Sequence, residues 1–190
     1  VMKSLDAGAY GIICPMVNSA EEAARFVSYM RYPPLGQRSF GPTRVSFAAG
    51  ANYASEANDN MLAFAMIETA EGMANLDAIA ATKGLDGIYV GPADLTLSLT
   101  QGRLAPGFDR EEPEMIAALH TILAACKKNG IRAALHCGTP DYAARAIGWG
   151  FDMTTVGGDS RFLAAAAGAA VAGFRKLTET AGAAATKGAY

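Results

Sequence analysis

Five short apolar runs alternate with helix-forming segments along almost the whole chain, and this alternation restricts the fold more than any other feature. The runs cover 11–17, 61–69, 88–90, 131–137 and 151–156. Glycine, proline or polar turn residues bound them, as expected for strands buried on both faces. Helical segments lie between them over 19–30, 70–82, 113–129, 140–148 and 160–177. Ser19-Ala20-Glu21-Glu22 has the spacing of a capping box. Pro33 and Pro34 stop the first of these helices, and Gly130 suits the position just past the third. Strand–helix alternation of this kind predicts an α/β fold with a parallel sheet. An open doubly wound sheet and a (β/α)8 barrel both fit. The barrel requires three further βα units, about 250 residues in all, and this chain has 190. It opens Val1-Met2-Lys3-Ser4-Leu5-Asp6-Ala7-Gly8, which reads as a helix end entering a glycine turn and is expected to follow earlier sequence.

Two stretches break the pattern. Residues 37–60 and 96–110 are polar and glycine-bearing and are expected to be irregular, functional connections. The alanine-rich segment 160–177 suits close packing against another helix, in this chain or a neighbouring one. Residues 181–190 have little to bury and are expected to form a flexible tail after a barrel domain over 1–180.

Composition narrows the function. Hydrophobic residues make up 51% and the net charge is only −2, which excludes a disordered chain. Sixteen basic residues face eighteen acidic ones without a basic block, against a nucleic-acid partner. No apolar run reaches the ~18 residues of a membrane span. Cys14, Cys126 and Cys137 are too few and too scattered for a disulfide framework or a zinc site. The expectation is a cytoplasmic protein acting on small molecules. No glycine-rich dinucleotide or phosphate loop supports NAD or ATP chemistry.

In either α/β fold the reactive end lies where strands finish. Glu68 closes the second run and Asp94 follows the third. Neighbouring parallel strands lie about 4.8 Å apart, so the two carboxylates can converge on one cation. Two carboxylates, with the other positions left to water and substrate, commonly hold Mg²⁺. The competing reading makes each acid a helix cap or a partner for arginine. Gly91-Pro92-Ala93-Asp94 allows close backbone approach, and its N–H groups suit a carboxylate. His136 ends the fourth run, where it either orients substrate or packs structurally. His120 lies within a helix and reads as a packing residue. Asp6, at a helix C-terminus where negative charge is disfavoured, reads as solvated.

Leu5-Asp6-Ala7-Gly8-Ala9, Pro15-Met16-Val17, Arg31-Tyr32-Pro33-Pro34-Leu35-Gly36, Ile67-Glu68-Thr69 and Gly91-Pro92-Ala93-Asp94-Leu95 occur in one order. Together they resemble the HpcH/HpaI family of metal-dependent pyruvate aldolases, typified by 4-hydroxy-2-oxoheptanedioate aldolase. The resemblance extends to about Leu177. It implies a (β/α)8 barrel of the phosphoenolpyruvate/pyruvate superfamily, here without roughly its first three βα units. It also implies reversible cleavage of a 4-hydroxy-2-oxo acid to pyruvate and an aldehyde through a metal-stabilised pyruvate enolate. Glu68 and Asp94 match the family's ligands for Mg²⁺, Mn²⁺ or Co²⁺. Ala93 and Asp94 match the backbone that holds the pyruvate carboxylate. Asp6 matches the acid that raises the basicity of a catalytic histidine. That histidine and a transition-state arginine would precede this chain. Met66 stands where some members carry a substrate-contacting glutamine. Arg38 or Arg44 is expected to meet a distal carboxylate or phosphate of the aldehyde. The resemblance further implies dimers or hexamers with exchange of the C-terminal helix. Two other functions remain open: a citrate lyase β/malyl-CoA lyase-like enzyme, and a non-catalytic barrel remnant serving as an interaction subunit.

Overall fold

A computed structural model describes the backbone of residues 1–187 and the side chains of residues 1–178. After helix α1 (Met2–Asp6) come β1 (Gly11–Cys14), α2 (Ala20–Met30), α3 (Thr43–Ala49), α4 (Tyr53–Asn60) and β2 (Leu62–Ile67). Then follow α5 (Ala70–Ala74), α6 (Leu76–Ala80), β3 (Gly87–Val90), α7 (Pro92–Leu99) and α8 (Pro113–Asn129). The chain continues through β4 (Arg132–His136), α9 (Pro140–Trp149), β5 (Met153–Thr155) and α10 (Asp159–Lys187). The five strands form one all-parallel sheet in the order β1-β2-β3-β4-β5. Each strand lies beside its predecessor, with none of the order reversal of a doubly wound sheet. The result is a parallel half-barrel.

Strand register sorts the side chains into two faces. Ala63, Ala65, Ile67, Ile88, Val90, Ala133 and Leu135 join the large core beneath the helices. The other face carries a separate small cluster, Phe64, Tyr89 and Ala134 with Met66 packed against it. Met66, Tyr89, Ala134 and Met153 lie in register across four strands. Such rows are the layers that fill a barrel interior. Gly87 is needed in this face, because a Cβ there would sit 2.4 Å from the Phe64 ring.

Two aspartates pin the register at the opposite end from the strand C-termini. Asp86, just before β3, accepts the Ala63 N–H on Oδ2 at 2.7 Å and donates its own N–H to the Ala63 carbonyl at 3.0 Å. Asp152, just before β5, makes the same pair with Ala133, at 2.9 and 2.8 Å. Each also holds an arginine, Arg31 at 2.9 Å and Arg132 at 2.8 Å.

Several sequence expectations are corrected. The stretch 37–60 is not irregular throughout, since it holds α3 and α4, which bury Val45, Tyr53 and Ala57. Their apolar residues are too sparse to show a helical period. The helix expected over 70–82 is two short helices meeting at Asn75, whose side-chain N–H donates to the Asn18 carbonyl at 2.8 Å. Residues 96–99 belong to α7 instead of a loop. α10 runs to Lys187, ten residues past the expected end. The tail expected over 181–190 lies outside the residues whose side chains are described. The capping box forms with one change: Ser19 Oγ accepts the Glu22 N–H at 3.2 Å, while the Glu22 carboxylate accepts the N–H of Asn18 at 2.7 Å.

Candidate active site

The C-terminal ends of β2, β3 and β4 and the start of α7 surround a cleft of about 440 Å³. Pro15, Met16, Met66, Glu68, Tyr89 and Gly91 line it, with Pro92, Ala93, Asp94, Phe108 and His136. Side-chain alternation explains the selection. Glu68 follows Phe64 and Met66 on the inner face, His136 follows Ala134, and Gly91 follows Tyr89. The structure therefore brings together Glu68, Asp94, Gly91, Ala93, Met66 and His136.

Glu68 is buried. Its Oε1 accepts the Met16 N–H at 2.8 Å. Met16 adopts φ +57°, a strained left-handed conformation for a residue with a side chain. That turn aims the N–H at the carboxylate before Val17 N–H rejoins the Met66 carbonyl at 3.4 Å. On the other side, a Cβ at residue 91 would meet Glu68 Oε2 at 2.6 Å, so only glycine leaves the carboxylate its place. Burial pushes the Glu68 carboxyl above its ordinary range, the Met16 N–H opposes this, and the charge of Asp94 pushes it further up.

Asp94 stands in the first turn of α7. The first backbone bond there runs from Leu95 N–H to the Gly91 carbonyl at 3.0 Å. The N–H groups of Ala93 and Asp94 precede that ladder and so are available to an anion.

No lysine or arginine lines the cleft among the described residues. A buried carboxylate and a second acid that raises it are thus left without a cation, a donor set that fits one hard divalent ion completed by water and substrate. No group of three or more His, Cys, Asp or Glu suited to a metal occurs among the described residues.

The far wall is aromatic. His136 Nδ1 lies 2.8 Å from the Tyr89 hydroxyl and 3.1 Å from Thr155 Oγ1. The Phe108 ring packs on the imidazole at 4.6 Å between centroids, and the Arg161 guanidinium lies 5.4 Å from the Phe108 ring. The loop carrying Phe108 is anchored by Asp109, which accepts the Gly138 N–H and the Thr139 hydroxyl, both at 2.7 Å. Burial, then the Arg161 charge, lowers the His136 pKa, opposed by Asp109. Tyr89, Thr155 and Phe108 were not singled out by the sequence, and Met16 stood there only as part of the Pro15-Met16-Val17 motif, without a role. For Tyr89 and Thr155 the signal was the inward parity they share with Met66 and His136.

Two residues expected at the site lie elsewhere. Arg38 is buried, with its Nη2 donating to Asp6 Oδ1 at 2.7 Å and to the Tyr53 hydroxyl at 2.9 Å. The Tyr32 and Tyr53 rings lie 4.5 and 5.4 Å from the guanidinium. Asp6, half-buried, accepts the bond from Arg38 and is not among the residues that line the cleft. Arg44 is exposed on α3. His120 packs on Trp149 at 5.3 Å, the structural role expected of it. Cys14, Cys126 and Cys137 are free thiols. No helix among the described residues is long and apolar enough to cross a membrane.

The model of the HpcH/HpaI aldolase/citrate lyase family matches residues 1–166. A hydroxypyruvate/pyruvate aldolase of Rhizorhabdus wittichii is 42% identical over 177 residues, covering 93% of this chain and 69% of that protein. A 2-keto-3-deoxy-L-rhamnonate aldolase of Salmonella typhimurium is 34% identical over 180 residues, 93% of this chain and 66% of that one. Among solved structures, a HpcH/HpaI aldolase/citrate lyase family protein from Burkholderia cenocepacia superposes with a TM-score of 0.79 at 30% identity. That match covers 92% of this chain and 68% of the other. The chain therefore spans about two thirds of the length of the relatives it matches.

Proposed function

Because the chain belongs to the HpcH/HpaI aldolase/citrate lyase family, we propose that it works as a divalent-metal-dependent pyruvate aldolase. Its reaction is reversible cleavage of a 4-hydroxy-2-oxo acid to pyruvate and an aldehyde, within a complete (β/α)8 barrel. The observation that supports this furthest is the pairing of Glu68 and Asp94 beside the open N–H groups that begin α7.

Glu68 and Asp94 would hold the ion, Mg²⁺, Mn²⁺ or Co²⁺. A divalent ion there would supply Lewis-acid chemistry, favouring negative charge on the 2-keto oxygen of the substrate. The Ala93 and Asp94 N–H groups receive the pyruvate carboxylate. The Met16 N–H keeps one Glu68 oxygen bonded, so the carboxylate is oriented before the substrate arrives. Pro15, Met16 and Met66 form an apolar side of the cleft. Tyr89, Phe108 and His136 are left for the aldehyde half.

The test is exchange of the pyruvate methyl protons with deuterium oxide, followed by NMR on the full-length protein. Exchange with Mg²⁺, Mn²⁺ or Co²⁺ that stops with EDTA is the expected result. Absence of exchange with all three ions overturns the reading.

A further inference from the structure

His136 is bonded at one end only. Tyr89 and Thr155 face its Nδ1, whereas its Nε2 has no hydrogen-bond partner among the described residues and the side chain lines the cleft. The Phe108 ring packs against the imidazole and limits its movement. One lone pair or one proton at Nδ1 must satisfy two hydroxyls. Thr155 Oγ1 already accepts the Cys137 N–H at 3.2 Å, and the phenol, at the shorter distance, is the stronger donor. With Tyr89 O–H donating to Nδ1, the tautomer this arrangement favours, the proton of the neutral ring lies on Nε2.

We propose that His136 is a specificity-determining residue whose Nε2–H donates to a neutral oxygen substituent of the aldehyde, a hydroxyl beside the reacting carbonyl, and that Tyr89 is the positioning residue that fixes this donor. The proposal rests on the aldolase reading and names the class of aldehyde that the site takes. The walls support that class. Neither lysine nor arginine is among the described residues that line the cleft, so the donor this chain itself presents to the aldehyde is a neutral one. Arg161 lies against Phe108, and Arg38 is held by Asp6 and Tyr53. A site with a fixed neutral donor discriminates by hydrogen bonding, because an aldehyde lacking the oxygen leaves that donor unpaired.

The experiment compares glycolaldehyde with propanal, its near-isostere lacking the hydroxyl, as partners for pyruvate in carbon–carbon bond formation by the full-length protein. The reading is the ratio of kcat/KM for the two. The unmodified protein favours glycolaldehyde over both propanal and succinic semialdehyde. His136→Leu lowers the glycolaldehyde-to-propanal ratio about tenfold, the scale of one hydrogen bond to a fixed donor. Tyr89→Phe lowers it severalfold, and His136→Gln, which keeps an N–H donor, restores most of it. If His136→Leu does not fold, the Tyr89→Phe and His136→Gln ratios carry the same comparison. A ratio unmoved in the folded variants, or a preference for succinic semialdehyde, overturns the proposal. Deuterium exchange into pyruvate needs no aldehyde. Its absence in the unmodified protein overturns the aldolase reading and this inference with it, whereas its presence with an unmoved ratio overturns this inference alone.

Discussion

The backbone N–H of Met16 donates to Glu68 Oε1 at 2.8 Å across a separation of 52 residues, and Met16 holds φ at +57° to do so. Glycine adopts that conformation without the steric cost of about 1–2 kcal/mol borne by other residues. Met16→Gly keeps the N–H and should raise the urea unfolding midpoint by an amount worth up to about 1 kcal/mol. Met16→Ile, β-branched at positive φ, should lower it. The pair is read from equilibrium denaturation, and equal midpoints would refute the strain.

Glu68 and Asp94 are expected to bind the ion jointly. Glu68→Gln and Asp94→Asn should each weaken Mn²⁺ binding by about 100-fold or more, measured by titration calorimetry or by the electron spin resonance of free Mn²⁺. Pyruvate proton exchange should be abolished in both. Circular dichroism should remain that of the unmodified protein, because neither side chain belongs to the main core. Unchanged Mn²⁺ affinity in both variants would remove the metal assignment.

The two register clamps differ in burial, and their loss should differ accordingly. Asp86 serves Arg31, whose side chain is 8% exposed, while Asp152 serves Arg132, which is 71% exposed. Asp86→Ala removes the Ala63 N–H bond and the counter-charge of a buried guanidinium, which keeps only the Met61 and Gly84 carbonyls, and should cost about 2–4 kcal/mol. Asp152→Ala leaves its arginine in water and should cost about 1 kcal/mol, mainly the lost Ala133 N–H bond. Chemical denaturation of both variants checks the order, and a larger loss at Asp152 would contradict it.

Asp152 also predicts an acid limb. The Ala133 N–H bond, and after it Arg132, hold its carboxyl below the ordinary value of 3.8, against an opposing push from burial. Its folded pKa is depressed, so its contribution is complete above pH ~4 and is lost as pH falls through the folded value. The unfolding midpoint should drop below pH 4, and Asp152→Asn should make that drop shallower. An identical slope in the variant would show that the group does not take part.

Arg38 carries a stability prediction in place of the substrate contact expected from its sequence position. Its side chain is fully buried and bonded to Asp6 and Tyr53, with the Tyr32 ring 4.5 Å from the guanidinium. Lysine cannot reproduce the planar fork or its stacking. Arg38→Lys should cost about 2–4 kcal/mol and leave the KM for acidic and neutral aldehydes where it was. A selective rise in KM for acidic aldehydes, with unchanged stability, would return Arg38 to substrate recognition.

Much of the architecture was legible because it is written in local patterns. The five apolar runs, the Ser19 cap, the proline stop at 33–34 and the Gly130 terminus act within a few residues of themselves, and all have counterparts in the structure. Glu68, Asp94 and His136 could be placed near one rim because each ends or follows a strand. The helices over 43–60 escaped, since short elements with one or two buried side chains have no period to detect.

The sequence by itself determined which segments become strands, that they run parallel, and which acids stand at their ends; hydrophobic periodicity and capping chemistry specify these from neighbours along the chain. Only the tertiary structure decided that the strands follow one another in order, that Tyr89 and Thr155 converge on His136, and that Asp6 pairs with Arg38. Those relationships join residues 19 to 66 positions apart. They depend on register and on the low polarity of the packed interior, where a charge must find a partner and a side chain's parity on its strand fixes which partner it meets.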